Sequence, residues 1–168
     1  IPNYGRVIER GFGAVREEAL RALEGWRGFS NPDRDPEKYY FYKSIVMTCD
    51  AYILLAHRYA DACREKAAGV QDAQRRHELE SMADSLDHIA DKPARTVREA
   101  VQATFLYQLF LWLDGNYQPC SFGRFDQYTW PCLKKQLEEG SITLDEAQEI
   151  VDCFWLKVGC LFNARLRY

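Results

Sequence analysis

The sequence lacks both a strong excess of charge and a long apolar run. Its 22 basic and 25 acidic residues give a formal net charge of −3, which leaves no basic field to attract nucleic acid or an anionic membrane. Charged residues at Asp114, Asp126 and Lys157 interrupt the most hydrophobic stretches, so none approaches the ~18 residues needed to span a bilayer. No signal peptide is recognisable. We therefore expect a soluble cytoplasmic protein that binds neither nucleic acid nor membrane.

Cysteine is present, but it lacks the spacing of a metal site. Six cysteines stand at positions 49, 63, 120, 132, 153 and 160, and no two of them are separated as zinc or iron–sulfur ligands usually are. The three histidines complete no ligand set either. We therefore expect no bound metal, reduced structural thiols, and histidines that lie on the surface or form ordinary hydrogen bonds.

Helical patterning dominates what the sequence does contain. Apolar residues recur at helical spacing, and short polar residues stand at several expected helix starts. Thr96 with Glu99, and Thr143 with Glu146, have the spacing of capping boxes. Gly140 is expected to end a helix. The pattern predicts a mainly α chain, with helices over residues 3–23, 36–68, 73–90, 96–113 and 125–139 and a last one from 143 through 158.

Three of these segments carry further expectations. The helix over 36–68 has apolar residues on more than one face, including an aromatic group at 39–42, so we expect it to be buried on several sides. Glycine and proline interrupt residues 114–123, where a short strand or extended strip is predicted. Residues 125–139 are expected to form a broken helix.

The loop before that broken helix places charge among large apolar residues. Arg124 and Asp126 have aromatic neighbours in sequence, and an unpaired buried charge there would be very costly. We therefore expect both side chains to be largely buried with polar partners, and Asp126→Ala to be strongly destabilising. Gly123 permits an unusual turn. The residues leave open a rigid architectural loop and the wall of a pocket, and they favour architecture.

The same loop resembles a known family. Gly-Arg-Phe-Asp-Gln-Tyr followed by Trp-Pro, within residues 123–131, is similar to the "GR-x-DQY-x-x-P" stretch of the pyruvate formate-lyase domain in glycyl radical enzymes. Residues 93–102 resemble that family's "PA-x-T-F-x-EA-x-Q" segment, and residues 140–157 its "G-x-IT-x-x-EA … W-x-K" helix. The opening Ile-Pro-Asn-Tyr is similar to a stretch of the dehydratase branch. The motifs occur in the family's order across nearly the whole chain.

The resemblance implies the fold and chemistry of a larger protein. The family's fold is a ten-stranded α/β barrel wrapped in helices, so we expect residues 1–168 to supply helical wrapping within one domain that is truncated at both ends. The family uses a glycyl radical installed by an activating enzyme that carries an iron–sulfur cluster and S-adenosylmethionine. That radical converts a cysteine to a thiyl, which starts C–O, C–N, C–C or C–S cleavage in a small polar metabolite. The resemblance also implies a homodimer at full length.

The family's catalytic motifs are missing from these 168 residues. No cysteine stands in a "GC-x-E" pattern, because Gly159-Cys160 continues into Leu161-Phe162, and no "R-V-x-G-Y" glycine loop is present. Cys160 is therefore expected to be a buried helix thiol. We expect the chain to contain no catalytic residue, to bind no cofactor, and to be inactive by itself.

The resemblance also implies where substrate would be contacted. The strip before the Gly-Arg turn is where dehydratase-like members place a substrate-facing hydroxyl. Ser121 can bond a substrate hydroxyl or carboxylate there, or it can satisfy the loop backbone. The predicted substrate-binding residues are Cys120, Ser121 and Phe122, and the predicted structural motif is Arg124, Asp126 and Gln127.

Two other functions remain open at this point. A helical scaffold or interaction protein would also have mostly helices and no complete catalytic set. A degenerate paralogue would keep the architecture and lose the radical. The cysteine–glutamate and glycine-loop motifs in the adjoining sequence would distinguish these readings, whereas the substrate and the bond cleaved are not predicted.

Overall fold

A computed structural model describes residues 2–25, 36–113 and 121–165 of the chain. All regular secondary structure in these ranges is helical, which confirms the predicted mainly α class. The strip predicted at 114–123 falls mostly outside the described residues, and its end, 121–123, is not helical. No helix in the described ranges is both long and apolar enough to cross a membrane. The helices are α1 (Tyr4–Glu24), α2 (Pro36–Ala68), α3 (Ala73–Ile89), α4 (Val97–Leu113), α5 (Phe125–Glu138) and α6 (Leu144–Arg165).

Side chains satisfy the exposed backbone groups at three helix starts, as the sequence predicts. The Asn3 side chain accepts a hydrogen bond from the Arg6 backbone N–H at 3.0 Å, and Asp72 caps α3 in the same way. At α6 the capping box is complete. Thr143 N–H donates to the Glu146 carboxylate at 2.8 Å, and Glu146 N–H donates to the Thr143 hydroxyl at 3.2 Å.

The start of α4 uses a variant of the predicted capping box. Glu99 N–H donates to Thr96 Oγ1 at 3.1 Å, as expected. The Glu99 carboxylate, however, accepts from the Arg95 N–H at 2.7 Å rather than from that of Thr96, and it also binds the Arg95 guanidinium. The Glu99 side chain is only 3% exposed, so its charge depends on these donors. The reciprocal cap is therefore moved one residue towards the N-terminus.

The helix predicted to be broken over 125–139 is continuous. Helix α5 runs through Pro131, which lacks the N–H that would bond to the Gln127 carbonyl. Tertiary contacts with α4 hold the segment helical despite that loss. Gly140 follows the helix with φ of 65° and ends it as predicted.

The described chain divides into two compact units, residues 1–9 with 94–168 and residues 10–93. In the first unit, α4 packs on both α5 and α6. Its core is a cluster from α4 and α6, against which apolar residues of α5 and the neighbouring loops are packed. The core residues are Val97, Val101, Ile150, Phe154 and Val158.

In the second unit, α2 packs along α3 through one stripe of mostly small residues. The prediction that α2 is buried on several sides is wrong for the described structure. Tyr40, Phe41, Met47 and Leu54 are each at least 60% exposed, because the contacts from α1 and α3 cover only one side of the helix. The buried stripe consists of Cys49, Tyr52, Ala56, Ala60 and Ala67.

Helix α1 is kinked at Gly11, which has φ of 73° and ψ of 162°. Only glycine adopts this backbone conformation readily. The space is also closed, because a β-carbon at residue 11 would lie 2.3 Å from the Asp91 carbonyl oxygen. That same oxygen accepts a hydrogen bond from the Gly13 N–H at 2.8 Å. The kink therefore brings the backbone of α1 directly against residue 91.

We predict that Gly11→Ala in the full-length protein destabilises this contact by about 2 kcal/mol or more, through backbone strain and the forced displacement of Asp91. Hydrogen exchange at the Gly13 amide reports the free energy of local opening. Gly25→Ala is the matched control, because the nearest atom to its β-carbon is an ordinary 3.6 Å away. Unchanged protection at Gly13 would contradict the prediction.

Candidate functional site

A short non-helical strip, residues 121–124, leads into α5 and carries the predicted substrate-contacting residues. Gly123 has φ of 61°, which confirms the predicted unusual turn. The Ser121 hydroxyl oxygen accepts a hydrogen bond from the Gly123 N–H at 3.1 Å. Cys120, predicted to contact substrate beside Ser121, lies outside the described residues. The turn thus fixes the Ser121 hydroxyl relative to the start of the helix.

The bond to Gly123 also sets what Ser121 can do chemically. A serine hydroxyl has one proton to donate and two lone pairs to accept with. The Gly123 N–H uses one lone pair, which leaves the proton for another acceptor. Ser121 is exposed in this structure. Ser121 can therefore have both roles that the sequence left open. Its oxygen accepts from the loop backbone, and its proton can still be donated to a ligand oxygen.

Phe122, the third predicted contact residue, is held by its ring and by its carbonyl. The ring centroid lies 5.2 Å from that of Phe154, 5.8 Å from that of Trp155 and 5.9 Å from that of Tyr4. The carbonyl oxygen accepts a hydrogen bond from the Tyr128 hydroxyl at 3.0 Å. Phe122 therefore serves as the anchor of the strip rather than as a freely presented side chain.

The prediction that Arg124 and Asp126 are buried is wrong in this structure. Their side chains are 68% and 66% exposed, and they form an ion pair with each other, Nε to Oδ1 at 3.0 Å and Nη2 to Oδ2 at 2.7 Å. The Arg124 guanidinium holds the pKa of Asp126 below its ordinary value. Phe125 stacks on Phe154 with centroids 4.8 Å apart. Asp126 follows Phe125 in the helix and so points about 100° away from that contact, whereas Arg124 precedes the helix and pairs with Asp126.

An open cleft of about 280 Å³ lies where the start of α1 meets the start of α5. Phe122, Arg124 and Gln127 line it, and Ser121 does not. The Gln127 N–H donates to the Arg124 carbonyl at 3.0 Å, which closes the first turn of α5. The cleft is lined by residues 2–5 and 9 on one side and by residues 122–124, 127 and 128 on the other.

Two tyrosines that the sequence analysis did not assign to the site hold it together. Tyr4 is 2% exposed, and its hydroxyl donates to the buried side chain of Gln108 on α4. Tyr128 packs on Tyr4 with ring centroids 5.7 Å apart, and its hydroxyl donates to the Phe122 carbonyl oxygen. Burial raises the pKa of Tyr128 above its ordinary value, so the hydroxyl keeps its proton. Each tyrosine stands in a motif that resembles the family, and this position in the motifs is the feature of the sequence that could have indicated them.

The described thiols are free and show no sign of activation. Burial raises the pKa of Cys49 and of Cys132, which disfavours their reactive thiolate forms. Cys160 lies in α6 as predicted, but it is exposed rather than buried, because α6 packs through the face that carries Phe154 and Val158. Within residues 2–25, 36–113 and 121–165, no group of three or more His, Cys, Asp or Glu side chains is arranged to hold a metal ion.

The described histidines make ordinary contacts, as the sequence predicts. His57 Nδ1 lies 2.7 Å from the Asp87 carboxylate, and His88 Nε2 lies 2.9 Å from the Pro93 carbonyl oxygen. His77 is exposed on α3. None of the three lies at the strip before α5.

The sequence matches one family model over nearly its whole length and several curated proteins. The model of the family described as pyruvate formate lyase-like matches residues 1–166. The chain is 41% identical over 157 residues to the isethionate sulfite-lyase of Nitratidesulfovibrio vulgaris, a match that covers 93% of this chain and 19% of that enzyme. The chain thus spans about a fifth of the length of the curated relatives it matches.

Two solved structures show the same arrangement of helices. One concerns 1,2-propanediol dehydration in Roseburia inulinivorans and matches with a TM-score of 0.83 and 36% identity. The other is the glycerol-bound, B12-independent glycerol dehydratase of Clostridium butyricum, with a TM-score of 0.84 and 32% identity. Each match covers 92% of this chain and 19% of the other.

We predict that Asp126→Ala leaves the unfolding midpoint of the protein unchanged, because the Arg124–Asp126 pair is solvent-exposed. Glu99→Ala is the contrasting variant, and it should cost about 2 kcal/mol, since it removes the charge-assisted hydrogen bonds that the buried carboxylate forms with the N–H and the guanidinium of Arg95. Denaturant titration of both variants measures the difference. A larger loss for Asp126→Ala than for Glu99→Ala would contradict the prediction.

Proposed function

The chain belongs to the pyruvate formate lyase-like family of glycyl radical enzymes, and from that membership we propose that it is one segment of a radical lyase or dehydratase. The proposed substrate is a small metabolite with a hydroxyl group on the carbon next to the one that loses its substituent. The match over residues 1–166 carries the proposal, because it relates the whole segment to one kind of enzyme.

The relatives' names support this substrate class. Isethionate has a hydroxyl on the carbon next to its sulfonate-bearing carbon, and 1,2-propanediol and glycerol have hydroxyls on adjacent carbons. The segment is similar to enzymes named for each of the three. In all of them a leaving group, sulfite or water, departs from the carbon beside a hydroxyl-bearing one. C–S and C–O cleavage are therefore preferred here over C–N and C–C cleavage.

The radical chemistry belongs to parts of the protein outside this chain. In the proposed reaction a cysteine thiyl takes the hydrogen atom from the hydroxyl-bearing carbon, and the leaving group departs from the neighbouring carbon together with the hydroxyl proton. The carbon radical left beside the new carbonyl then takes the hydrogen atom back from the thiol, which gives an aldehyde and restores the thiyl. An activating enzyme with an iron–sulfur cluster and S-adenosylmethionine would install the glycyl radical, in a homodimeric cytoplasmic protein.

The segment's own contribution is binding and support. Ser121 would donate its hydroxyl proton to an oxygen of the substrate while its lone pair stays on the Gly123 N–H. Such a bond orients the substrate against the group that abstracts hydrogen, which is how proximity lowers the barrier of a radical step. The helices of this segment would form part of the wrapping around the family's barrel, and the Arg124–Asp126–Gln127 motif would shape the turn into α5.

We predict that the full-length protein, incubated without oxygen with its activating enzyme and S-adenosylmethionine, gives a glycine-centred doublet in electron paramagnetic resonance. It should then release aldehyde from isethionate, 1,2-propanediol or glycerol, measured by reduction with an alcohol dehydrogenase and NADH. The 168-residue chain alone should give neither signal, because it contains no glycine-loop or cysteine–glutamate motif. A doublet from the chain alone, or none from the full-length protein, would refute the proposal.

We predict that Ser121→Ala in the full-length enzyme lowers kcat/KM about tenfold, the effect of losing one hydrogen bond to a substrate oxygen. Thermal stability should stay the same, since the side chain is exposed. Ser141→Ala is the matched control, because Ser141, in the turn before α6, is also an exposed serine with a hydrogen bond to backbone, its hydroxyl donating to the Gln136 carbonyl of α5 at 3.3 Å. Equal kinetics for the two variants would leave Ser121 with a loop role only.

A further inference from the structure

One planar peptide group connects Tyr128 to Ser121. The carbonyl of Phe122 and the N–H of Gly123 belong to the same peptide unit, whose atoms move together because the C–N bond does not rotate freely. The carbonyl accepts from the Tyr128 hydroxyl at 3.0 Å. The N–H donates to the Ser121 hydroxyl oxygen at 3.1 Å. A hydrogen bond that fixes the direction of the Phe122 carbonyl therefore also fixes the direction of the Gly123 N–H.

We propose that Tyr128 is a positioning residue, which orients the Ser121 hydroxyl through the peptide group between Phe122 and Gly123. The inference rests on the proposed function, in which Ser121 binds the substrate. Tyr128 does not need to touch the substrate for this role. It acts on the direction of the Gly123 N–H, and that N–H holds the serine oxygen.

The surroundings of Tyr128 suit it to hold a carbonyl in place. Its ring packs against those of Tyr4 and Phe125, each with its centroid 5.7 Å away, and these two contacts confine it. A rigid donor costs little entropy when it forms its bond, and a confined tyrosine is such a donor.

Without the Tyr128 hydroxyl, the strip would keep its ring contacts but lose control of the peptide orientation. Gly123 sits at φ of 61°, and glycine has many other accessible conformations, so its peptide unit can rotate once the carbonyl is released. The Phe122 ring would still pack on Phe154 and Trp155. The expected defect is therefore local, in the direction of the Ser121 hydroxyl, and not a loss of the fold.

The first arm of the test measures the strip itself in the full-length protein. Tyr128→Phe keeps the ring and removes the hydroxyl. We expect at least fivefold faster hydrogen–deuterium exchange in the peptide that contains Gly123, as one neutral hydrogen bond is lost. Thr129→Val is the matched control, because the Thr129 hydroxyl likewise donates to a backbone carbonyl, but to that of Phe125 within α5, at 2.7 Å, and not to one in the strip.

The second arm measures coupling in the reaction. Tyr128→Phe should lower kcat/KM about fivefold, and Thr129→Val should leave it unchanged. In the Ser121→Ala background, Tyr128→Phe should lower it by less than twofold, because the group it orients is gone. The glycyl radical signal should be equal in all variants, since none of these residues takes part in forming it. A double-mutant cycle gives the coupling directly.

The outcomes separate this inference from the proposed function. Faster exchange together with non-additive kinetics supports the positioning role. Exchange equal to that of wild type overturns it, and so does faster exchange with fully additive kinetic effects. If the wild-type enzyme shows neither radical nor turnover, the proposed function fails. The exchange result alone then supports or overturns the hold of Tyr128 on the strip.

Discussion

Aromatic packing around Phe122 and Phe125 joins the start of α5 to α6, and the geometry of the neighbouring strip depends on it. Phe125 stacks on Phe154, while Phe122 meets Phe154 and Trp155 edge-on. Phe154 is buried, and Phe122 and Phe125 are half-buried against it. A fully buried ring contributes about 1.5–3 kcal/mol, more than a typical neutral hydrogen bond. The polar contacts of the strip therefore refine a position that the rings already impose.

Local chemistry explains why much of the fold could be predicted from the sequence. A capping residue acts on N–H groups within three positions of itself, so Asp72 and the Thr143–Glu146 box reveal helix starts without knowledge of the rest of the chain. Gly140 ends a helix for an equally local reason, its positive φ. The Thr96–Glu99 box was predicted, but its shift to Arg95 was not. The Glu99 carboxylate binds both the N–H and the guanidinium of Arg95, and the capping-box pattern does not include that guanidinium.

The burial of side chains was predicted less accurately than the helix ends, because burial depends on which other elements pack against a residue. Arg124 and Asp126 have aromatic neighbours in sequence, yet those rings turn to α6 and leave the charges exposed. Cys160 and the apolar residues of α2 show the same effect, since helical direction and the neighbouring helices decide their exposure. At the site, sequence indicated Ser121 and Phe122. Tyr128 emerged only from the structure, because its contact with a carbonyl six residues earlier depends on the turn at Gly123.

The double hold on Phe122 has a consequence for the residue that precedes it in the strip. The strip is anchored by the ring and the carbonyl of one residue, while the side chain before it contributes only one hydrogen bond to the turn. Position 121 can therefore accept other side chains at little cost to the fold. Under the proposed role of Ser121 in binding substrate, substitutions at position 121 would change selectivity while leaving the fold intact, so selection would not remove them for loss of stability.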